Sequence, residues 1–241
     1  MKIPEEIVFA FSNKQDGNMS FKWGPCAEVI KNREVFLAPY QLKSTDMVMA
    51  QLEHGETITT VNNSDRGRGI SDGESAIPCE CLMTNTPQLI LSMVTADCFP
   101  IALFDPKQRA ISLIHLGWKP TNKKLAFKAV EQMKLRFGSN PADIQVFVGP
   151  GIRKDSYQFP LEVVTQHNLP EWKPYVSIRG NTANINLLGF IIDQLVSAGV
   201  LITNIQDSEI DTASNKNYYS HYRSDRTGEP EGRFVTIIML K

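Results

Sequence analysis

The stretch Thr95-Ala-Asp-Cys-Phe-Pro-Ile-Ala-Leu-Phe-Asp-Pro-Lys-Gln-Arg-Ala-Ile-Ser-Leu-Ile-His-Leu-Gly-Trp-Lys-Pro-Thr121 contains two apolar runs with Asp105 and Pro106 between them. Short apolar runs bounded by turn-forming residues are typical of buried strands. Asp and Pro favour the start of a turn, and Pro presets the φ angle that a turn requires. The stretch therefore predicts a β-hairpin, and the rest of the chain is interpreted around it.

The length of the connection decides which side chains of this hairpin face each other. With a four-residue connection from Asp105 to Gln108, an antiparallel ladder places Cys98 opposite His115. Directly opposed Cβ atoms lie roughly 4.5 to 5.5 Å apart on one face of a sheet. A thiol and an imidazole placed there suit a shared metal ion or a thiolate and imidazolium pair. A connection one residue shorter or longer would change which side chains are opposed.

Length, composition and charge are those of a folded globular protein. Of the 241 residues, 42% are hydrophobic and 21% are charged, which argues against a disordered chain. The formal net charge is -1 with both signs interspersed, so we predict no nucleic-acid partner and no membrane surface. Acidic residues near the N-terminus and the lack of an apolar run of ~18 residues predict a cytoplasmic protein. Four cysteines are too few for a disulfide scaffold, which leaves buried, metal-binding or catalytic roles.

Local patterns outline the elements around the hairpin. Apolar spacing predicts a helix over 122–138, capped by Thr121 or Asn122 and ended by Gly138, and a second helix over 187–198. Further strands are predicted at 7–11, 35–38, 47–52, 57–61, 88–95, 144–149 and 234–240. Strands outnumber helices and no linker divides the chain. We therefore predict one α+β domain over residues 1–241, with two packed mixed β-sheets and helices outside.

Histidines are few enough to be considered one by one. Of the four, His54 stands at a predicted strand end, and with Cys98 and His115 it completes a His, Cys, His set. Three protein ligands and an open fourth position are typical of a catalytic zinc site. His167 lies near a predicted helix end, where a capping or solvent-facing role is expected. Spacing alone leaves the three-ligand site a hypothesis, because its members are far apart in the sequence.

Five motifs occur in order along the chain: Gln51-Leu-Glu-His-Gly55, Thr95-Ala-Asp-Cys-Phe-Pro100, His115-Leu-Gly-Trp118, Val148-Gly-Pro-Gly-Ile152 and Tyr218-Tyr-Ser-His-Tyr-Arg223. Together they resemble the laccase-domain family, whose members have been named polyphenol oxidases, peptidoglycan editing factors and purine nucleoside phosphorylases. The resemblance implies that His54, Cys98 and His115 bind zinc, within a four-layer α/β/β/α fold. It also implies phosphorolysis of adenosine, inosine, guanosine and methylthioadenosine, together with hydrolytic deamination of adenosine.

The chain departs from the family pattern beside these motifs. Lys119-Pro120 replaces the usual Arg-Gly, Cys79-Glu80-Cys81 replaces Ala-Asp-Ala, Ser156 and Asp211 stand at positions often taken by Cys, and Tyr222-Arg223 replaces an Arg pair. The predicted metal ligands are intact, so these departures concern the substrate side of the site.

Substrate and proton-transfer roles are predicted for residues near the ligands. Asp97 is a proton carrier or a partner of a metal ligand, although a strand neighbour of Cys98 is equally well explained as a structural residue that faces away. Arg223 is predicted to hold phosphate. Trp118 or Tyr219 is predicted to stack on the purine, with burial as the alternative for either ring. The partners implied are purine nucleosides and phosphate.

Three other hypotheses stay open. A His, His, Cys set with a weak axial Met is also the core of a copper electron carrier or polyphenol oxidoreductase; four histidines, however, are too few for a blue-copper centre plus a His-rich copper cluster. A metal-free cysteine hydrolase would use Cys98 as nucleophile and His115 as base. A non-enzymatic regulator of cell-wall synthesis would turn over no nucleoside. Neither the oligomeric state nor the preferred nucleoside follows from the sequence.

Overall fold

The structure is a computed structural model that describes residues 1–166 and 169–241, so the predicted role of His167 lies outside the described residues. The strands are β1 Ile7–Phe11, β2 Met47–Gln51, β3 Ile58–Thr60, β4 Ile77–Pro78, β5 Cys81–Thr84, β6 Ile90–Thr95, β7 Phe99–Asp105, β8 Ala110–Leu116, β9 Gln145–Val148, β10 Gln158–Pro160, β11 Val176–Arg179, β12 Thr182–Ile185, β13 Ile205–Asp207 and β14 Phe234–Leu240. The helices are α1 Cys26–Leu37, α2 Trp118–Asn122, α3 Leu125–Phe137, α4 Leu161–Gln166, α5 Leu187–Ser197 and α6 His221–Thr227.

Two mixed sheets form the centre of the fold. Within the described ranges, one sheet has the strand order β1-β14-β6-β2-β4 and the other β13-β9-β7-β8-β5-β3, while β10, β12 and β11 form a small third sheet. One apolar cluster lies between α1 and the first sheet, a second between the two main sheets, and a third between the second sheet and helices α3 and α5. The predicted α+β class and its helix, sheet, sheet, helix layering are confirmed.

Two neighbouring segments carry the chain from the first sheet to the second. Strands β2 and β4 pair in parallel in the first sheet, and their continuations β3 and β5 pair in parallel in the second. The crossings lie side by side: the amide of Cys79 donates to Gln51, and the amides of Glu80 and Cys81 donate to Thr57. These crossings place residues 52–57 and 79–80 at one shared end of the two sheets.

The predicted hairpin is confirmed, but its connection is misplaced by one residue. Asp105 and Ala110 face each other as the last pair of β7 and β8, so the connection is 106–109. The carboxylate of Asp105 accepts two amide hydrogen bonds from the turn, at 2.9 and 3.1 Å. This arrangement is typical of an Asp that precedes a turn, which is why it belongs to the strand.

The predicted register is consequently wrong by two residues. Pro100 faces His115, and Cys98 precedes β7 at the level of Gly117. Because side chains alternate with a period of two, a shift of two positions keeps each side chain on its original face. Cys98 and His115 therefore still meet on one side of the sheet.

Residues 35–38, predicted as a strand, instead lie at the end of α1 and in the turn that follows. The buried side chains of α1 are Val29, Arg33, Phe36 and Leu37, which share one helical face. Arg33 donates its guanidinium to three backbone carbonyls at distances of 2.8 to 3.2 Å. A buried arginine inside the apolar stripe hid the helical period from the sequence pattern.

The helix predicted over 122–138 is preceded by a separate short helix, α2. Lys124 lies between α2 and α3 with a left-handed φ of 60°, and no side chain caps α3, so the predicted cap at Thr121 or Asn122 is wrong. Gly138 ends α3 with a φ of 73°, as predicted.

The remaining predicted elements match β1, β2, β3, β6, β9, β14 and α5 to within two residues at each end. Helices α1 and α6 are absent from the predicted elements. Among the described residues, no helix is both long enough and apolar enough to span a membrane.

Candidate metal centre

Three predicted ligands converge where the sheet crossings meet the hairpin. One ligand atom each from His54, Cys98 and His115 lies within 4.8 Å of the other two. The two imidazole rings are nearly perpendicular, at 83°, with centroids 5.1 Å apart. His115 is buried, Cys98 is partly exposed and His54 is exposed, so the cluster is accessible from one side. A thiolate and two imidazoles at this spacing fit a metal ion with an open coordination position.

Gly117 makes room for the cysteine. A Cβ atom at Gly117 would lie 2.6 Å from Sγ of Cys98 and 3.9 Å from Nε2 of His115. The space beside the sulfur therefore exists only because residue 117 has no side chain.

Asp97 fixes the chain immediately before Cys98. Its φ is 79°, an uncommon conformation for a residue with a side chain. Its carboxylate accepts hydrogen bonds from Oγ1 of Thr212 at 2.6 Å and from the amide of Tyr222 at 2.7 Å. Burial raises the pKa of this carboxyl despite those bonds. Asp97 thus connects the C-terminal segment to the site, and its role as a proton carrier stays a prediction.

Glu80 is a site residue that the motifs did not single out. Its Oε2 lies 2.5 Å from Nδ1 of His115, and its Oε1 accepts from the amides of Glu53 and Gly55 at 2.7 and 3.0 Å. Burial alone would raise the pKa of Glu80, but the His115 contact and the two amides hold it below its usual value. The available signal was the carboxylate that Glu80 keeps where the family pattern Ala-Asp-Ala has Asp. This departure therefore lies behind a metal ligand, and the prediction that it concerns the substrate side is wrong.

The cluster favours the ionised thiol. Burial opposes ionisation, but the nearby imidazoles of His115 and His54 lower the pKa of Cys98 to about 6. Burial likewise opposes protonation of His115, yet Cys98 and Glu80 raise its pKa to about 9. The thiolate is the form that binds metals and reacts with electrophiles.

In metal-free protein, the rate of Cys98 alkylation by iodoacetamide is expected to rise as the pH increases through about 6 and then to level off. The physical reason is that the thiolate fraction grows until ionisation is complete. Mass spectrometry of the modified peptides measures the rate, with exposed Cys26 as a reference in the same sample. A midpoint near 9 would contradict the proposed thiolate, and added zinc should protect Cys98.

An apolar groove of about 480 Å³ adjoins the cluster. Its lining includes the aromatic side chains of Trp118, Tyr157, Phe159 and Trp172. Burial, and next the charges of Cys98 and Asp97, raise the pKa of Tyr157. Trp118 directly follows Gly117, the residue beside Sγ of Cys98. The groove and the metal centre are therefore neighbours through Trp118, although none of the three ligands is among the described residues that line the groove.

Of the two rings predicted to stack on a purine, Trp118 lines this groove and Tyr219 packs elsewhere. Tyr219 occupies the space where a side chain at Gly232 would lie, with the ammonium of Lys14 5.4 Å from its ring centroid. Tyr222, three residues later, lies beside the groove instead, with its ring centroid 6.1 Å from that of Tyr157.

Arg223 is largely buried among protein acceptors. Its Nε donates to Glu229 at 2.7 Å, and its terminal nitrogens donate to the carbonyls of Thr212, Ala213 and Tyr218 at 2.6 to 3.0 Å. Phosphate binding by Arg223 stays a prediction and would require exchange of these bonds. Arg226 is more exposed, with its guanidinium 3.5 Å from the centroid of the Tyr222 ring and 5.8 Å from that of Phe159.

The fold and the site define a class: an α+β protein of two packed sheets, with a His, Cys, His donor set suited to a metal ion and an apolar groove beside it. Residues 12–241 match the protein family described as multi-copper polyphenol oxidoreductase laccase. The chain belongs to that family, and the resemblance inferred from the motifs is confirmed.

Individual relatives carry different names. The chain is 32% identical to purine nucleoside phosphorylase YlmD of Bacillus subtilis (strain 168) over 54% of its length, and the match spans about half of that relative, 48%. It is 29% identical to adenosine deaminase RL5 of an unknown prokaryotic organism, over 81% of this chain and 76% of the relative. The crystal structure of hypothetical protein YfiH of Bacillus licheniformis superposes with a TM-score of 0.89 at 28% identity, covering 98% of this chain and 93% of that one.

Proposed function

We propose that the protein is a zinc-dependent purine nucleoside phosphorylase that acts on adenosine, inosine, guanosine and methylthioadenosine and that also deaminates adenosine. The observation that carries the proposal is the His54, Cys98 and His115 donor set, with an aromatic groove that Trp118 connects to it. Relatives named purine nucleoside phosphorylase and adenosine deaminase support the same two activities.

The donor set fits zinc. His54, Cys98 and His115 would hold the ion through one sulfur and two imidazole nitrogens, which lie within 4.8 Å of one another. Zinc in such a site supplies Lewis-acid chemistry and activates water near neutral pH. The same ligands also accept copper, which the family description makes the natural second candidate.

The groove provides the binding surface for the purine. A purine is flat and apolar on its faces, so it stacks on aromatic side chains such as Trp118, Tyr157 and Phe159. Its ring nitrogens and exocyclic group would then face the end of the groove where Trp118 lies. We propose that this orientation places the nucleoside against the cluster.

In phosphorolysis, a phosphate oxygen forms a bond to C1′ of the ribose while the bond from C1′ to N9 breaks. The bonding electrons and a proton end on the purine. The chain must hold a phosphate beside the sugar, and Arg223 is the predicted residue. Arg226 supplies a second guanidinium on α6 that contacts the ring of Phe159, itself part of the groove lining, and we include it as a phosphate ligand in the proposal.

Deamination is favoured by one specific observation, the match to adenosine deaminase RL5 over 81% of the chain. In that reaction water replaces the amino group at C6 of the purine. Asp97 is the predicted proton carrier. Each of its carboxylate oxygens accepts one hydrogen bond, which leaves each oxygen a lone pair that can take up a proton.

Elemental analysis of purified protein, followed by assays on a nucleoside panel with and without phosphate, tests the proposal. We expect about one zinc per chain and release of free base only when phosphate is present. Adenosine should also yield inosine without phosphate. Bound copper with strong visible absorbance would favour the electron carrier, and intact metal without turnover would favour the non-enzymatic regulator. Phosphate-independent turnover by metal-free protein, blocked by Cys98 alkylation, would favour the cysteine hydrolase.

A further inference from the structure

We propose that Glu80 is a positioning residue that presets two of the three metal ligands, an inference that rests on the metal site of the proposed function. The same carboxylate contacts the ring of His115 and the backbone on both sides of His54. One side chain thus orders ligands that come from different parts of the chain.

The contact with His115 selects which ring nitrogen faces the metal. Oε2 of Glu80 lies 2.5 Å from Nδ1, so that nitrogen carries the proton toward the carboxylate. Nε2 is the remaining nitrogen, and it points to the space beside Gly117 that also contains Sγ of Cys98. A carboxylate behind a ligating histidine fixes the tautomer and the ring orientation and increases the basicity of the ligand.

The contacts around His54 hold a turn that would otherwise be free to change shape. His54 is exposed and has a left-handed φ of 59°, which residues with side chains rarely adopt. The amides of Glu53 and Gly55, one on each side of it, both donate to Oε1 of Glu80. These bonds fix the turn in the conformation that directs the imidazole toward Cys98.

Two backbone hydrogen bonds hold Glu80 in place and so fix the position from which its side chain extends. Its amide donates to Thr57 at 2.9 Å, and its carbonyl accepts from the amide of His115 at 2.7 Å. Glu80 lies in the crossing from β4 to β5, directly beside the crossing from β2 to β3 that contains His54. Because Glu80 is buried and its backbone is held on both sides, its carboxylate contacts the ring of His115 and the turn that holds His54 from one position.

The variant Glu80→Gln tests this role, because it keeps the size of the side chain but removes its negative charge. It also replaces one of the two acceptor oxygens with an amide nitrogen that donates hydrogen bonds. We expect zinc affinity to fall by about 10- to 100-fold, and the visible spectrum of the cobalt-loaded protein to change as the ligand geometry relaxes. Glu80→Asp, which keeps the carboxylate on a shorter arm, should recover part of the affinity. Glu53→Gln is the matched control: it removes an exposed acid beside His54 but retains the amide that Glu80 binds.

Unchanged zinc affinity and an unchanged cobalt spectrum in Glu80→Gln would overturn the inference. If that variant does not fold, NMR of the zinc-loaded wild-type protein provides the test. It identifies which ring nitrogen of His115 carries a proton and which one binds zinc. A proton on Nδ1 of His115 and zinc at Nε2 support the proposal, whereas zinc at Nδ1 contradicts it. These measurements do not use turnover, so absence of nucleoside activity would refute the proposed function and leave the role of Glu80 standing.

Discussion

Protein carrying Cys98→Ala is expected to contain only background zinc and to release no detectable base from any nucleoside. Without Sγ, two imidazoles remain, one of them on the exposed side chain of His54. Two neutral imidazoles, one buried and one exposed, form a far weaker site than a set that includes a thiolate. Elemental analysis and the phosphate-dependent assay measure the two effects on the same preparation.

Cys26→Ala is the control for this experiment, since it removes an exposed thiol from the start of α1. Its zinc content and turnover should equal those of the wild type. Circular dichroism establishes that both variants are folded. Full phosphorolysis by the Cys98→Ala variant would contradict the zinc mechanism.

Gly117→Ala is expected to weaken zinc binding and to destabilise the protein, although it replaces none of the three ligands. The new Cβ would lie 2.6 Å from Sγ of Cys98, so the cysteine or the start of α2 must move. Overpacking of this kind costs about 1 to 3 kcal/mol in the free energy of unfolding. Denaturant unfolding measures that loss, and zinc titration measures the affinity.

Gly55→Ala offers a matched comparison at the other edge of the site. No atom lies within 4 Å of its added Cβ, and the amide that donates to Glu80 remains in place. Its zinc affinity should therefore stay close to that of the wild type. Equal affinities for Gly117→Ala and Gly55→Ala would show that the space beside Cys98 is not needed for the metal.

The hairpin shows how a partly wrong prediction can still lead to the right cluster. Asp105 was assigned to the turn, yet its carboxylate caps the turn from within β7, which shifted the register. Since the shift was two residues, Cys98 and His115 kept a common face. An error of one residue would have separated them.

His54 could not be placed by local pattern, because the contact between it and Cys98 depends on how β2 and β3 cross between sheets. The motif resemblance supplied the ligand set that sequence spacing left open. Arg33 shows the opposite limit: a buried arginine satisfied by distant carbonyls looks polar in sequence, so α1 was missed and residues 35–38 at its end were predicted as a strand.

Residues that act through tertiary contacts were the hardest to predict. Glu80 contacts both His115 and the turn that holds His54, which come from different parts of the chain. Tyr222 lies beside Tyr157 and belongs to α6, a helix that the sequence pattern did not predict. The partners of Arg223, which are Glu229 and several backbone carbonyls, were likewise not visible in the motif, and its role as a phosphate ligand stays a prediction. Such partners depend on the assembled fold.

X-ray absorption at the zinc edge of the purified protein reports the atoms bound to the metal and therefore tests whether His54, Cys98 and His115 are its ligands. We predict one sulfur at about 2.3 Å and two imidazole nitrogens at about 2.0 to 2.1 Å, with one further light atom as the fourth ligand. A zinc shell without sulfur, or with more than one sulfur, would contradict a site formed by His54, Cys98 and His115.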